Sequence, residues 1–260
     1  MGQDEQVREI NEIDEVSELT GGDLLGVWAA QDLGGRCRAW TTDDGEAVVV
    51  AGPDLATKNR LAVCGRLAAA ASLLGLVLAE VGSSYRPFGD RQLIHGLADM
   101  IELAGTKSLR VAGEFGWMDR SEPLADEVSD AHWLGPDDED DVAELLAAGN
   151  PASYAQPGGA AVERWAGIRD DHGRLTAVAA LAWSSPRVGF IAGVTVHPDV
   201  RGNGLSTKVC RLAAGEAIRE RGAVALMVDE PNPAAVRTYV KLGLSYRPVA
   251  AAAVGDQPRS

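Results

Sequence analysis

The chain has 260 residues, a formal net charge of −14 at pH 7 and an apolar content of 46%. This length suits two modest domains or one large one, and no uninterrupted apolar run approaches the ~20 residues that cross a bilayer. Binding to nucleic acid or to an anionic membrane depends on Lys and Arg neutralising phosphates, so the acidic balance argues against both partners.

The cellular setting predicted by the composition is the cytoplasm. The segment Met1–Glu5 is acidic where a signal peptide would be basic. Cys37, Cys64 and Cys210 are scattered, without the spacing of a metal site or a disulfide framework. The acidic charge would favour the approach of a cationic substrate such as a polyamine, an amino sugar or a basic peptide. Solubility alone also explains such a charge.

The first half of the chain predicts a polar tail followed by an α/β domain. Residues 1–20 are mostly polar and charged, which predicts an unpacked or loosely helical tail. Residues 21–120 carry no catalytic motif. Their apolar patterns predict the following elements: helices at 23–30, 67–78 and 92–103, strands at 48–51, 61–63 and 109–112, and a hairpin turn at 43–45.

The second half, residues 125–255, has a clearer pattern. The strand at 189–196 is almost entirely apolar, as expected for a strand buried on both faces. Acidic residues at 137–141 open a helix, where they complement the helix dipole. The predicted elements are a helix at 139–148, strands at 162–168, 175–183 and 189–196, a helix at 205–220, a strand at 224–229, a helix at 233–241 and a strand at 245–252.

A glycine-containing turn joins the apolar strand 189–196 to the following helix. It carries Arg201, Gly202 and Gly204. Glycines let the backbone approach an anion closely, and the start of a helix presents unpaired N–H groups to it. The pattern therefore predicts a pyrophosphate-binding turn.

Two motifs together resemble the GNAT superfamily of acyl-coenzyme A-dependent N-acyltransferases. The first is Arg201 to Ser206, where the family has Arg or Gln, two residues, Gly, one residue, and Gly or Ala. Ser206 departs from this pattern, but serine is small, and its hydroxyl either contacts a phosphate or caps the helix. The second motif comprises Asn232, Ala235, Tyr239 and the segment 242–244. The resemblance covers roughly residues 125–250 and is greatest to the glycine-N-acyltransferase-like branch.

The resemblance implies a mixed, mostly antiparallel sheet with splayed central strands and flanking helices. It also implies acetyl-CoA or another acyl-CoA as co-substrate and no metal. The N-terminal α/β domain is then a candidate degenerate copy of the same fold, which lacks the phosphate motif. The residues expected to bind the coenzyme are Val194, Thr195, Val196, Arg201, Gly202, Asn203, Gly204, Leu205, Ser206, Thr207, Asn232 and Tyr239.

Acyl transfer to an amine needs a deprotonated amine, stabilisation of the oxyanion and a proton for the leaving thiolate. The resemblance places Tyr239 near the coenzyme sulfur, either as the acid or as a packing residue. Asp229 and Glu230 are candidate bases, although each also suits the start of the next helix. Water is an alternative base. Less favoured candidates are His197, which the turn explains structurally, and Tyr85, Arg86, His95 and Glu114 in the first half.

The function predicted is transfer of acetyl to a primary amine of a small molecule or peptide, in a ternary complex. Nucleic acid and membrane are not expected partners, and the chain is compatible with a homodimer. One alternative is a non-catalytic acyl-CoA-binding module, because residues 190–193 contain no ionisable side chain. A peptidyltransferase-like protein that uses aminoacyl-tRNA is the other alternative, but it would need a basic face that the composition does not provide.

Overall fold

The computed structural model describes residues 7–101, 107–125, 129–229 and 232–256. They divide into two compact units. The first contains Met1–Gly116 with Arg247–Ser260, and the second contains Trp117–Tyr246. The final strand differs from the prediction, because its residues from Arg247 onward belong to the first unit and not to the predicted 125–255 domain.

The first unit is a sheet with helices packed on it. Its strand order is β1-β2-β3-β4-β5-β12-β6, and β4 and β5 are parallel. Helix α3 buries Leu73, Leu74 and Val77 against the sheet. The elements are β1 (Val7–Ile10), α1 (Ile13–Leu19), α2 (Leu24–Ala29), β2 (Arg38–Thr42), β3 (Ala47–Leu55), β4 (Lys58–Gly65), α3 (Leu67–Val81), β5 (Arg86–Asp90), α4 (Arg91–Met100), β6 (Lys107–Arg120) up to Gly116, and β12 (Ser245–Asp256) from Arg247.

Residues 7–20 were predicted to be an unpacked or loosely helical tail, but they are packed, with a strand followed by helix α1. Strand β1 pairs antiparallel with β2, from Val7 opposite Thr42 to Ile10 opposite Ala39. Ile10 and Val16 are buried. Two apolar side chains and a strand ladder therefore hold a segment whose composition is otherwise polar. Residues 1–6 lie outside the described residues.

The β3–β4 hairpin provides a stability prediction. Ala56 and Thr57 form its two-residue loop, and both have a positive φ, 46° and 67°. A positive φ in a non-glycine residue costs about 1–2 kcal/mol, and a β-branched side chain suits it poorly. We expect Thr57→Gly to raise the free energy of unfolding by about 1 kcal/mol, measured by urea denaturation. Lys58→Gly, one residue into β4, is the control and should lower it. A Thr57→Gly protein no more stable than the wild type would contradict the prediction.

The second unit is a sheet enclosed between two helical layers. Its strand order is β6-β11-β10-β9-β8-β7, in which β10 and β11 are parallel while β7 to β10 pair antiparallel. The elements are β6 from Trp117, β7 (His132–Trp133), α5 (Glu139–Gly149), β8 (Val162–Arg169), β9 (Leu175–Ala182), β10 (Gly189–Val196), α6 (Leu205–Arg221), β11 (Val224–Asp229), α7 (Pro233–Lys241) and β12 up to Tyr246.

Helices α5 and α6 cover opposite faces of this second sheet. Alternate residues of β9 enter two different clusters, as the period of two in a strand requires. Ala177, Ala179 and Leu181 pack with α6, whereas Val178 and Ala180 pack with α5. We call these the α6 face and the α5 face. No helix among the described parts of the chain is long and apolar enough to span a membrane.

The two units have the same order of core elements. Three antiparallel strands, a helix and a strand parallel to the third occur as β2-β3-β4-α3-β5 and again as β8-β9-β10-α6-β11. The connections differ. Arg66 alone joins β4 to α3, while residues 197–204 join β10 to α6. Only the second connection is long enough to form a turn around an anion.

Candidate functional site

Strands β10 and β11 diverge in the second unit. Their parallel register runs from Gly189 opposite Val224 to Ile191 opposite Leu226. Beyond Ile191, β10 remains paired with β9 through Thr195 and Val196. Among the described residues, the end of β10 therefore has no register partner in β11. We call the space beside the backbone of Val194 to Val196, where pairing with β11 has ended, the cleft.

A β-bulge lies where the cleft begins. Ala192 is opposite Ala180 and Thr195 is opposite Val178, so Gly193 and Val194 together face the single residue Ala179. Gly193 has a φ of 61°, which favours glycine. The Thr195 hydroxyl donates to the Gly193 carbonyl over 3.0 Å and fixes the bulge. Sequence analysis did not single out Gly193, although an isolated glycine inside an apolar strand is typical of a bulge.

The glycine turn leads from β10 into α6. Gly202 and Gly204 have φ values of 87° and 73°, and a Cβ at either would meet no atom within 4 Å. Gly204 is the N-cap of α6, so no side chain caps this helix. The predicted capping role for Ser206 is therefore wrong, because its place in the first helical turn is beyond the cap. The first N–H groups of α6 remain available to an anion.

Other predicted coenzyme residues line this helix start. Asn203 donates from Nδ2 to the Val200 carbonyl over 3.1 Å and shapes the turn. Leu205, Ser206 and Thr207 form the first turn of α6 and are half-buried. The structure therefore brings the predicted turn residues together at one helix N-terminus.

Arg201 holds the turn in place. Its Nε donates to the Val196 carbonyl over 3.3 Å, and its Nη2 donates to the Gly149 carbonyl at the end of α5 over 2.9 Å. The guanidinium therefore links the end of β10, the turn and α5. Arg201 was predicted to bind the coenzyme, and the described contacts show the side chain engaged in bonds within the protein.

Asn232 starts α7. Its side-chain oxygen accepts from the Ala235 N–H over 3.0 Å, and Pro233 follows at the first helical position. Helix α7 carries Tyr239, which is 6% exposed and belongs to the same apolar cluster as Val194, Val196 and Cys210. The structure thus places Tyr239 on the α6 face, beside the strand that borders the cleft.

Burial governs the ionisation of Tyr239 and Cys210. Burial, followed by the nearby Cys210 thiol, raises the pKa of Tyr239 far above its ordinary value of 10.0. Burial raises the pKa of the Cys210 thiol from 9.0 to about 12. Tyr239 therefore keeps its proton at any pH used in an assay. It can donate a hydrogen bond, but giving up the proton is unfavourable.

The Cys210 thiol predicts an alkaline loss of stability. Its pKa is raised in the folded state, so its contribution is complete below the unfolded pKa near 9 and is lost as pH rises toward about 12. Between pH 7 and pH 10 this group alone should remove roughly 1 kcal/mol from the free energy of unfolding. Urea denaturation at both pH values measures the loss. Cys210→Ala should show a smaller loss than the wild type, and equal losses would contradict the assignment.

Of the two candidate bases Asp229 and Glu230, the structure describes only Asp229. Asp229 ends β11 and is exposed, whereas Glu230 lies outside the described residues. His197 accepts from the Asp199 N–H at Nδ1 over 3.3 Å and contacts Arg174 through Nε2, so it has the structural role expected of it. In the first unit, the nearest side-chain atoms of His95 and Glu114 are 2.6 Å apart.

Within the described ranges, no group of three or more His, Cys, Asp or Glu side chains is placed to hold a metal.

Comparisons with known proteins agree with this geometry. The sequence model of the Acetyltransferase (GNAT) family matches residues 126–244. No curated protein matches the chain. Among solved structures, a GCN5-related N-acetyltransferase from Sphaerobacter thermophilus is 17% identical with a TM-score of 0.57, over 98% of this chain and 97% of that one.

Two other solved structures are similar over nearly their whole lengths. One from Novosphingobium aromaticivorans, described as an acetyltransferase of the GNAT family, is 20% identical with a TM-score of 0.51, over 95% of this chain and 97% of that one. An acetyltransferase from the GNAT family of Colwellia psychrerythraea is 13% identical with a TM-score of 0.51, covering 95% and 99%. These similarities show a shared fold. The family model therefore marks residues 126–244 as an acetyltransferase domain of the GNAT family.

Proposed function

We propose that the second unit transfers an acyl group, most simply acetyl, from acyl-CoA to a primary amine of a small molecule or peptide. The observation that carries the proposal is the cleft between β10 and β11, which ends at a glycine turn and the N-terminus of α6. A cleft of this kind accommodates an extended arm, and the helix start binds the phosphates at its end.

The pyrophosphate is proposed to accept from backbone N–H groups between Gly202 and Ser206. Ser206 and Thr207 can add hydroxyl donors from the first turn of α6. The pantetheine arm would then run along the edge of Val194 to Val196 that is not paired with β11, and Asn232 would border the cleft from the other side. Arg201 acts in this arrangement as a positioning residue, because its guanidinium already bonds Val196 and Gly149.

The reaction proposed is direct attack. The amine lone pair forms a bond to the thioester carbonyl carbon, the C–S bond breaks, and coenzyme A leaves as a thiolate. The amine loses one proton and the thiolate gains one. The bulge at Gly193 places backbone groups at the start of the cleft, where an N–H can stabilise the oxyanion.

Tyr239 is proposed to stabilise the leaving thiolate by donating a hydrogen bond. Its raised pKa disfavours complete proton transfer, so the proton would come from the amine through water.

We expect Tyr239→Phe to lower kcat by about tenfold, with little change in KM for acetyl-CoA, since one hydrogen bond to a charged group is lost. Steady-state thiol release measures both constants. Because Tyr239 does not ionise in this range, the wild-type rate should show no downward limb from it up to pH 10. An unchanged kcat in the variant would remove Tyr239 from the mechanism.

Asp229 is the proposed base within the described residues. It lies exposed at the end of β11, on the border of the cleft. Glu230 and water remain the other candidates for this step.

The net charge of −14 supports a cationic acceptor, because an acidic surface raises the local concentration of cations.

The first unit is proposed to be a degenerate copy of the same fold that binds no coenzyme. Its order of elements supports this, as does the single-residue connection between β4 and α3.

The glycine-N-acyltransferase-like branch remains a proposal that rests on the residues before Arg201 and on the spacing from Asp229 to Asn232. A homodimer and a cytoplasmic location are likewise proposals.

Thiol release from acetyl-CoA with a panel of amines tests this function. Polyamines, amino sugars, amino acids and peptides would be compared with a no-amine control. Amine-dependent release supports acyl transfer. Coenzyme binding without release on every amine favours the non-catalytic module, and release only with aminoacyl-tRNA favours the peptidyltransferase alternative.

A further inference from the structure

The bulge at Gly193 faces a tryptophan. A Cβ placed on Gly193 would lie 2.8 Å from Cη2 and 3.0 Å from Cζ3 of Trp165, and 3.1 Å from the Ala155 Cβ. Real Cβ atoms essentially never come within 3.0 Å of another heavy atom, so the 2.8 Å approach to Cη2 would force a shift. The side of the bulge that faces Trp165 is therefore completely filled.

The extra residue of the bulge produces this contact. Ala192 packs on the α5 face and Val194 on the α6 face, with Gly193 inserted between them. Trp165 and Ala155 both belong to the α5-face cluster. The backbone at the start of the cleft thus rests directly on the indole ring.

Trp165 contributes its volume to this contact and not a hydrogen bond. It is 6% exposed, and its Nε1 makes no hydrogen bond to any of the described residues. A buried donor without a partner costs about 1–3 kcal/mol. A phenylalanine would fill the core without that cost, so the additional reach of the indole toward Gly193 is what distinguishes the tryptophan.

We propose that Trp165 restricts the donor to short acyl groups, with acetyl preferred. This inference rests on the proposed function, which places the thioester at the bulge. An acyl chain there can extend toward the α6 face, where Ile191 and Tyr239 are buried, or toward the α5 face, where Trp165 fills the space. Forcing additional methylene groups into a packed core costs about 1–3 kcal/mol. Each face therefore excludes longer chains, and Trp165 is the largest side chain against the bulge.

The test compares acyl-CoA donors and needs no identified amine. Acetyl-CoA and butyryl-CoA are titrated calorimetrically into the intact wild-type chain and into Trp165→Leu. The wild type should bind acetyl-CoA at least about tenfold more tightly than butyryl-CoA, and Trp165→Leu should reduce that ratio by about tenfold or more. Trp133→Leu is the matched control, because Trp133 lies against Arg164 in the same unit and should leave the ratio unchanged.

Separate results overturn the two proposals. If the wild type binds neither donor, the proposed function fails. If it binds both donors equally, or if Trp165→Leu weakens both by the same factor, the size limit fails while the coenzyme site stands. If Trp165→Leu does not fold, Trp165→Phe, which removes less volume, replaces it in the same titrations. It should shift the ratio in the same direction by a smaller factor.

Discussion

Gly193→Ala is expected to reduce kcat/KM for acetyl transfer by about 100-fold or more, the loss typical of removing one oxyanion donor. Gly193 has a φ of 61°, and a Cβ there would lie within 2.8 Å of Trp165. The strain and the clash together would flatten the bulge. The backbone N–H groups would then return to the ladder with β9 and leave the cleft.

Gly173→Ala is the control for that experiment. Gly173 has a φ of 80° in the β8–β9 turn, and a Cβ there meets nothing within 4 Å. This variant has similar backbone strain without the clash, so its activity should remain near that of the wild type. Gly193→Ala protein that is folded by circular dichroism and fully active would show that the bulge is not part of the catalytic site.

Gly204→Val is expected to weaken acetyl-CoA binding by about 30-fold or more. Gly204 has a φ of 73°, where a β-branched residue is strained by about 1–2 kcal/mol. Relief of that strain would rotate the N–H groups of the turn away from the pyrophosphate, and each hydrogen bond to a charged group contributes about 1.5–3 kcal/mol. Calorimetric titration measures the dissociation constant.

The other end of the same helix provides the matched control. Gly222 follows α6 with a φ of 93°, and it also has open space around its Cβ direction. Gly222→Val should lose comparable stability but retain coenzyme affinity. Equal affinities in the two variants would mean that the turn at Gly204 does not hold the phosphates.

The elements that the sequence predicted best are those with strong apolar patterns and defined ends. Strands 189–196 and 224–229 and the helix 233–241 occur with the predicted bounds. Proline at the first helical position marked the start of α7, and the glycine at position 222 marked the end of α6. The turn at Arg201 to Ser206 was found because its motif is local in the chain.

Features that depend on distant contacts were not predicted. Strand β1 has only two apolar residues, Val7 and Ile10, and its place is decided by pairing with β2. Strand β5 contains Pro87 and Gly89, which weaken a strand pattern, yet it pairs with β4 and β12. The contact between Gly193 and Trp165 joins residues of two different strands, so no local pattern reveals it.

The central claim is that the cleft between β10 and β11 binds acyl-CoA. Calorimetric titration of acetyl-CoA into the intact wild-type chain tests it most directly. We predict one site per chain, with a dissociation constant between about 1 µM and 1 mM, the usual range for an enzyme substrate. Absence of binding at millimolar acetyl-CoA by a folded protein would contradict the account.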